Sequence, residues 1–209
     1  MLTAECYVTN FSVELHTGVR VLRLASDDGT NRLTRAVVLG LTDAVRNLAQ
    51  DPAPLVITGN GKFFSAGADL KEIAELTGPE AYEFAGMGQA LMNAVEGFPG
   101  GVCAAISGYC MGGGLDLALA CRWRIASPTA VLGHRGAALG LITGWGGTQR
   151  LPRLVGKSRA LQMFLTAEKI HAPEALRCGL VNEVAEDPVA VAVARIEQRL
   201  ARRKTLRVE

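Results

Sequence analysis

Apolar residues alternate with polar ones over residues 19–24 (VRVLRL), the period-two pattern of a strand, and a DDGTN turn follows. From Thr34 the spacing changes. Val37, Val38, Leu41, Val45 and Leu48 recur at helical intervals, and Thr34 is placed to cap the helix. LVIT after Pro54 predicts a short buried strand, and GNGKFFSAGADL reads as a Gly-rich loop. Residues 71–97 read as helical, interrupted at Gly78-Pro79. GVCAAIS predicts a second buried strand, and RWRIAS and AVLG two shorter ones. GGTQRLPRLVGKSRALQMFLT reads as helical with a break near Pro152. APEALRCG predicts a short helix stopped by Gly179, LVNEV a strand, and residues 188–203 a closing helix. Alternating strands and helices predict an α/β chain.

Composition narrows the class. The 209 residues are 49% hydrophobic and 20% charged, which suits a globular domain and excludes a disordered or fibrous one. A formal charge of +2 gives no signal for nucleic acid, and no apolar run reaches the length of a membrane span. The first residues lack the apolar core of a signal peptide. Cysteines at 6, 103, 110, 121 and 178, with no CxxC pair, predict free thiols in a reducing cytoplasm.

The candidate chemistry centres on ISGYCMGGGLDLALAC, where Gly112, Gly113 and Gly114 precede an apolar helix that carries Asp116 in its first turn. N–H groups at a helix start have no partner within the helix and carry the positive end of its dipole. Glycine lets another group approach that backbone closely, so the triad reads either as an anion or oxyanion site or as a tight helix–strand packing turn. A second loop, Ser65-Ala66-Gly67-Ala68-Asp69, follows the LVIT strand. Amides from two such loops, converging on one carbonyl oxygen, make an oxyanion hole. Other motifs fail. VGKS lacks the P-loop glycine, because Leu151 stands there. No GxGxxG or GxSxG is present, and the histidines form no metal cluster.

Three segments, ITGNGKFFSAGADLKEI, AISGYCMGGGLDLALACRWRIAS and LGLITGWGGTQRLPRLVGKSRALQMFLTAEKI, occur in an order and spacing that resembles the crotonase (enoyl-CoA hydratase/isomerase) superfamily. The resemblance implies an α/β spiral of ββα turns over residues 1–166, with a short C-terminal helical segment at 167–209. It implies a coenzyme A or acyl-carrier thioester substrate, no cofactor beyond that coenzyme A, and a homotrimer or hexamer. It places the oxyanion amides on Ala68 and Gly113, and substrate or CoA contacts at Lys62, Ala66 and Gly67.

The family's first catalytic glutamate falls on Asp116, a shorter acid. The second falls on Gly136, and the aspartate of related isomerases and dehalogenases falls on Gly144. His134 and Arg135, beside the missing acid, are its candidate substitutes, or simply a loop pair. The resemblance therefore implies a hydratase/isomerase-family enzyme tilted toward isomerase or decarboxylase. A non-catalytic acyl-CoA binder and a thioester hydrolase are the alternatives. Basic residues at 195, 199, 202, 203, 204 and 207 read as a solvated helix face or as contacts for CoA phosphates.

Overall fold

The computed structural model describes residues 10–51 and 53–205; Cys6 and Arg207 lie outside the described residues. In chain order the elements are β1 (Phe11–His16), β2 (Val19–Leu24), β3 (Arg32–Leu33), α1 (Arg35–Leu48), β4 (Leu55–Thr58), β5 (Phe63–Ser65) and β6 (Gly67–Ala68). Then come α2 (Leu70–Ala74), α3 (Gly78–Glu96), β7 (Val102–Ile106), β8 (Tyr109–Met111), α4 (Gly113–Ala120), β9 (Trp123–Ala126) and β10 (Val131–Gly133). A 3₁₀ turn (Gly136–Leu139) leads to α5 (Gly147–Val155), α6 (Lys157–Thr166), β11 (Ile170–His171), α7 (Ala172–Arg177), β12 (Glu183–Val184) and α8 (Pro188–Thr205).

The strands build a six-stranded sheet, β1-β2-β4-β7-β9-β12, a four-stranded sheet, β11-β10-β8-β5, and the small pair β3-β6. The pairs β4/β5, β7/β8 and β9/β10 each send one strand to the larger sheet and the next to the smaller. Those neighbours are parallel, so each turn of chain stacks on the one before as a ββα spiral.

Both faces of the larger sheet are covered, which is why β7 reads as a continuous apolar run. Val102, Ala104 and Ile106 join the main core with α1, α3 and α4. Cys103 and Ala105 point the other way, into a second core with Val19, Val21, Val56 and Ile125, covered by Ala192 and Ile196 of α8. Four cysteines, Cys103, Cys110, Cys121 and Cys178, are free, and burial pushes the Cys103 thiol up to about 12.

Several local expectations need correction. The 59–70 segment is not all loop: β5 pairs with β8, and β6 with β3. Gly78-Pro79 does not interrupt a helix but begins α3, whose start is held by a capping box between Thr77 and Glu80. Pro152 lies inside α5, and the break comes at Gly156, with φ +81°, so α5 and α6 are separate helices. Leu151 and Met163 are fully buried within the chain, while Leu161 and Leu165 remain 58% and 70% exposed.

Candidate active site

α4 is wholly buried, from Gly113 to Ala120, and points its N-terminus at a cavity of about 450 Å³. The buried Arg124 donates to the carbonyls of Ala118 and Cys121 at the far end of the helix, satisfying its C-terminus. The glycine triad serves two purposes at once. Gly112, with φ +51°, makes the turn into the helix. Gly113 and Gly114 permit close packing: a Cβ at 113 would stand 2.5 Å from the Trp145 ring, and one at 114 would stand 2.7 Å from Ser65 Cβ.

The same close approach brings the two expected amides together. A Cβ built at Gly113 would lie 3.3 Å from the Ala68 nitrogen, and one at Gly67 would lie 3.1 Å from the Gly113 nitrogen. Gly113 opens α4, so its N–H has no partner within the helix. Ala68 and Gly113 therefore lie side by side on one wall of the cavity.

Asp116 sits one turn into α4, 1% exposed, and is the carboxylate that lines the cavity. The Thr143 hydroxyl donates to its Oδ2. Its Oδ1 lies 3.5 Å from His134 Nε2 and has no hydrogen-bond partner; neither His134 nitrogen has one either. Burial raises Asp116 to about 7, against the opposing pull of the Thr143 hydrogen bond, the Arg150 charge and the backbone N–H of Gly147. Burial lowers His134, whose ring packs on Phe164, to about 4. At neutral pH the histidine is therefore uncharged and the aspartate is poised between its two forms.

These shifts act on stability in opposite directions. For Asp116 the folded pKa is raised, so its contribution is present below pH 3.8 and is lost as pH rises through about 7. For His134 the folded pKa is depressed, so its contribution is present above pH 6.5 and is lost as pH falls through about 4. The two windows overlap and largely cancel. His134→Phe is expected to expose the first, losing about 4 kcal/mol between pH 4 and 7. Asp116→Asn is expected to expose the second, losing about 3 kcal/mol from pH 6.5 down to 4. Denaturant unfolding across this range checks both; variants that keep the wild-type pH profile would contradict the assignment.

Ala66, Gly67, Ala68, Gly113, Asp116, His134 and Arg135 all line this cavity, Arg135 as an exposed residue at its edge. Lys62 does not line it: the side chain is exposed, its Nζ 5.9 Å from the Phe63 ring centroid. Gly136 is more than a missing acid. A Cβ there would stand 2.6 Å from the Leu141 carbonyl oxygen, so the loop has closed over the position a glutamate would use. Gly144 faces only Ala85 at ordinary contact distance, 3.5 Å from a built Cβ. Thr143, Trp145 and Gly147 are site residues that the sequence patterns do not mark. Trp145 is wedged between Gly88 and Gly113, and its Nε1 donates to the Phe84 carbonyl. On α8, Arg195, Arg199 and Arg202 are exposed; Arg195 pairs with Glu183, and Arg199 lies over the Trp123 ring. Among the described residues no group of three His, Cys, Asp or Glu side chains is placed to hold a metal ion, and no helix is long and apolar enough to cross a membrane.

A ββα spiral that brings the amide at the start of α4 and one buried carboxylate to one cavity has the architecture of the crotonase class. Comparison with known proteins gives the same assignment. The family model described as enoyl-CoA hydratase/isomerase matches residues 14–208. Crotonyl-CoA hydratase of Syntrophomonas wolfei is 42% identical over 180 residues, which span 85% of this chain and 69% of that protein. The structure of Pseudomonas aeruginosa DspI matches with a TM-score of 0.88 at 36% identity, covering 95% of this chain and 83% of that one. Enoyl-CoA hydratase of Bacillus anthracis matches with a TM-score of 0.85 at 36% identity, covering 90% and 76%. The chain belongs to the enoyl-CoA hydratase/isomerase family.

Proposed function

We propose that the protein acts on a CoA thioester through an enolate held by the Ala68 and Gly113 amides, and that double-bond isomerisation is its favoured reaction. One observation carries the reading: the adjacent amides share a cavity with a single buried carboxylate, Asp116. Isomerisation needs only one acid–base group. Asp116 takes the C2 proton of a 3-enoyl thioester, and the electron pair moves onto the thioester oxygen as a dienolate. The same proton then returns to C4, giving the 2-enoyl product. Decarboxylation of a malonyl-type thioester makes the same enolate by releasing CO₂, and protonated Asp116 can supply the proton to C2. Burial that raises Asp116 to about 7 suits both proton directions near neutrality. Lys62, four residues before Ala66, is our candidate for a CoA phosphate.

Hydration is the second reading, and one contact favours it. His134 lies 3.5 Å from Asp116 and, being neutral, can share in moving a proton to or from water. Turnover of a panel of 2-enoyl, 3-enoyl and malonyl-type CoA thioesters, with product analysis, separates these readings. Faster 3-enoyl conversion supports isomerisation; faster 2-enoyl hydration replaces it. Thioester binding without turnover would favour the non-catalytic binder, and release of free CoA the hydrolase.

We also propose assembly as a homotrimer or hexamer. Leu161 and Leu165 on α6, with Leu139 and Ile142 near the cavity mouth, are large apolar side chains at least half exposed. Closed rings are a common way to cover such surface. Sedimentation at micromolar concentration is expected to give three or six times the 22.1 kDa chain mass. A lone species at the chain mass would overturn the assembly.

A further inference from the structure

Thr143 lies in the loop between the 3₁₀ turn and α5, and it lines the cavity beside Asp116. Its hydroxyl donates to Oδ2, whereas Oδ1 is buried and has no hydrogen-bond partner. The two carboxylate oxygens are therefore inequivalent. Oδ1 instead lies 3.5 Å from His134 Nε2, which is itself without a hydrogen-bond partner. The torsion that turns a carboxylate is soft, so a donor fixed on one oxygen decides where the other points. Gly147 closes the opposite side: a Cβ there would stand 2.1 Å from Oδ1 and 2.9 Å from Thr143 Cγ2. The chain entering α5 thus holds the carboxylate from two directions.

We propose that Thr143 is a positioning residue that anchors Oδ2 of Asp116 and so assigns proton transfer to Oδ1. The proposal rests on the reading of Asp116 as the acid–base group. A hydrogen bond to the carboxylate favours its ionised form, so removing it raises the proton affinity. The titratable or charged groups facing Asp116 are His134 after β10, Arg150 on α5 and Cys110 on β8. Burial keeps His134 uncharged above about pH 4 and holds the Cys110 thiol well above its ordinary range. Near pH 7 Asp116 is the member of this group that titrates.

The test compares Thr143→Val, which keeps the shape, with Thr143→Ser, which keeps the hydroxyl. Carbon-13 NMR of the Asp116 carboxyl follows its titration without substrate. The expected result for Thr143→Val is a midpoint raised by about one to two pH units, the worth of one hydrogen bond to a charged group. Its kcat on the thioester identified by the panel is expected to fall about 10–100-fold, with KM changing less than about threefold and the pH profile moving with the midpoint. Thr143→Ser should restore midpoint and kcat. If Thr143→Val does not fold, Thr143→Ala replaces it with the same expectations. An unmoved midpoint, or a loss that serine does not recover, overturns the proposal. If the wild type converts no thioester, the functional reading fails by itself, and the carboxyl titration still decides whether Thr143 anchors Oδ2.

Discussion

Replacing Asp116 with asparagine is expected to lower turnover of a responsive CoA thioester by roughly 10²–10⁴, with the fold intact. Asparagine preserves the size of a side chain that is 1% exposed, so packing within α4 is little disturbed. It can still accept from the Thr143 hydroxyl, which holds it in place. What it removes is the exchangeable proton, in a cavity where no other carboxylate among the described residues lines the wall. The effect should therefore appear in kcat more than in KM. In the wild type, kcat/KM for isomerisation is expected to rise with pH through about 7, because the base is the ionised form, raised by burial. In Asp116→Asn that limb should vanish together with the activity. Turnover and pH profile both at wild-type values would remove Asp116 from the chemistry and leave the amides as the whole site.

The sequence disclosed the backbone half of this site better than the side-chain half. An apolar strand running into three glycines announces a close approach at a helix start, and Gly112, Gly113 and Gly114 do occupy that place. Asp116 was legible as a candidate because it lies in the first turn of the same helix. The Thr143 contact was not, because its partner is 27 residues away and a threonine in an irregular loop carries no periodic signal. The blocked position at Gly136 was hidden for a similar reason: sequence reveals an absent side chain, not the Leu141 carbonyl packed where it would stand. Among strands, β4 and β7 were legible because burial on both faces makes them continuous apolar runs. β1 was not, since it is an edge strand with mostly exposed side chains, and its place is fixed by pairing with β2. β5 and β6, three and two residues long, exist only through their partners.

The oxyanion assignment has its own expected result. Gly113→Ala keeps the amide but brings a Cβ to within 2.5 Å of Trp145, so it should lower stability and some activity. Gly113→Pro carries the same clash and also deletes the N–H. Proline is acceptable at this point of a helix, because Gly113 is the first residue of α4 and its N–H bonds to nothing within it. The difference between the two variants therefore reports the loss of the N–H together with the ring carbon that takes its place. Proline turnover is expected to lie a further 10²–10³-fold or so below that of alanine, the usual cost of one oxyanion donor. The loss should fall on kcat, since enolate charge is greatest in the transition state. Melting temperatures of both variants establish that folded protein is being compared. Equal turnover by two folded variants would mean that the Gly113 amide does not face the reacting oxygen. The glycine triad would then be there for packing against Trp145 and Ser65 alone, and a thioester would have to find its donors elsewhere on the cavity wall.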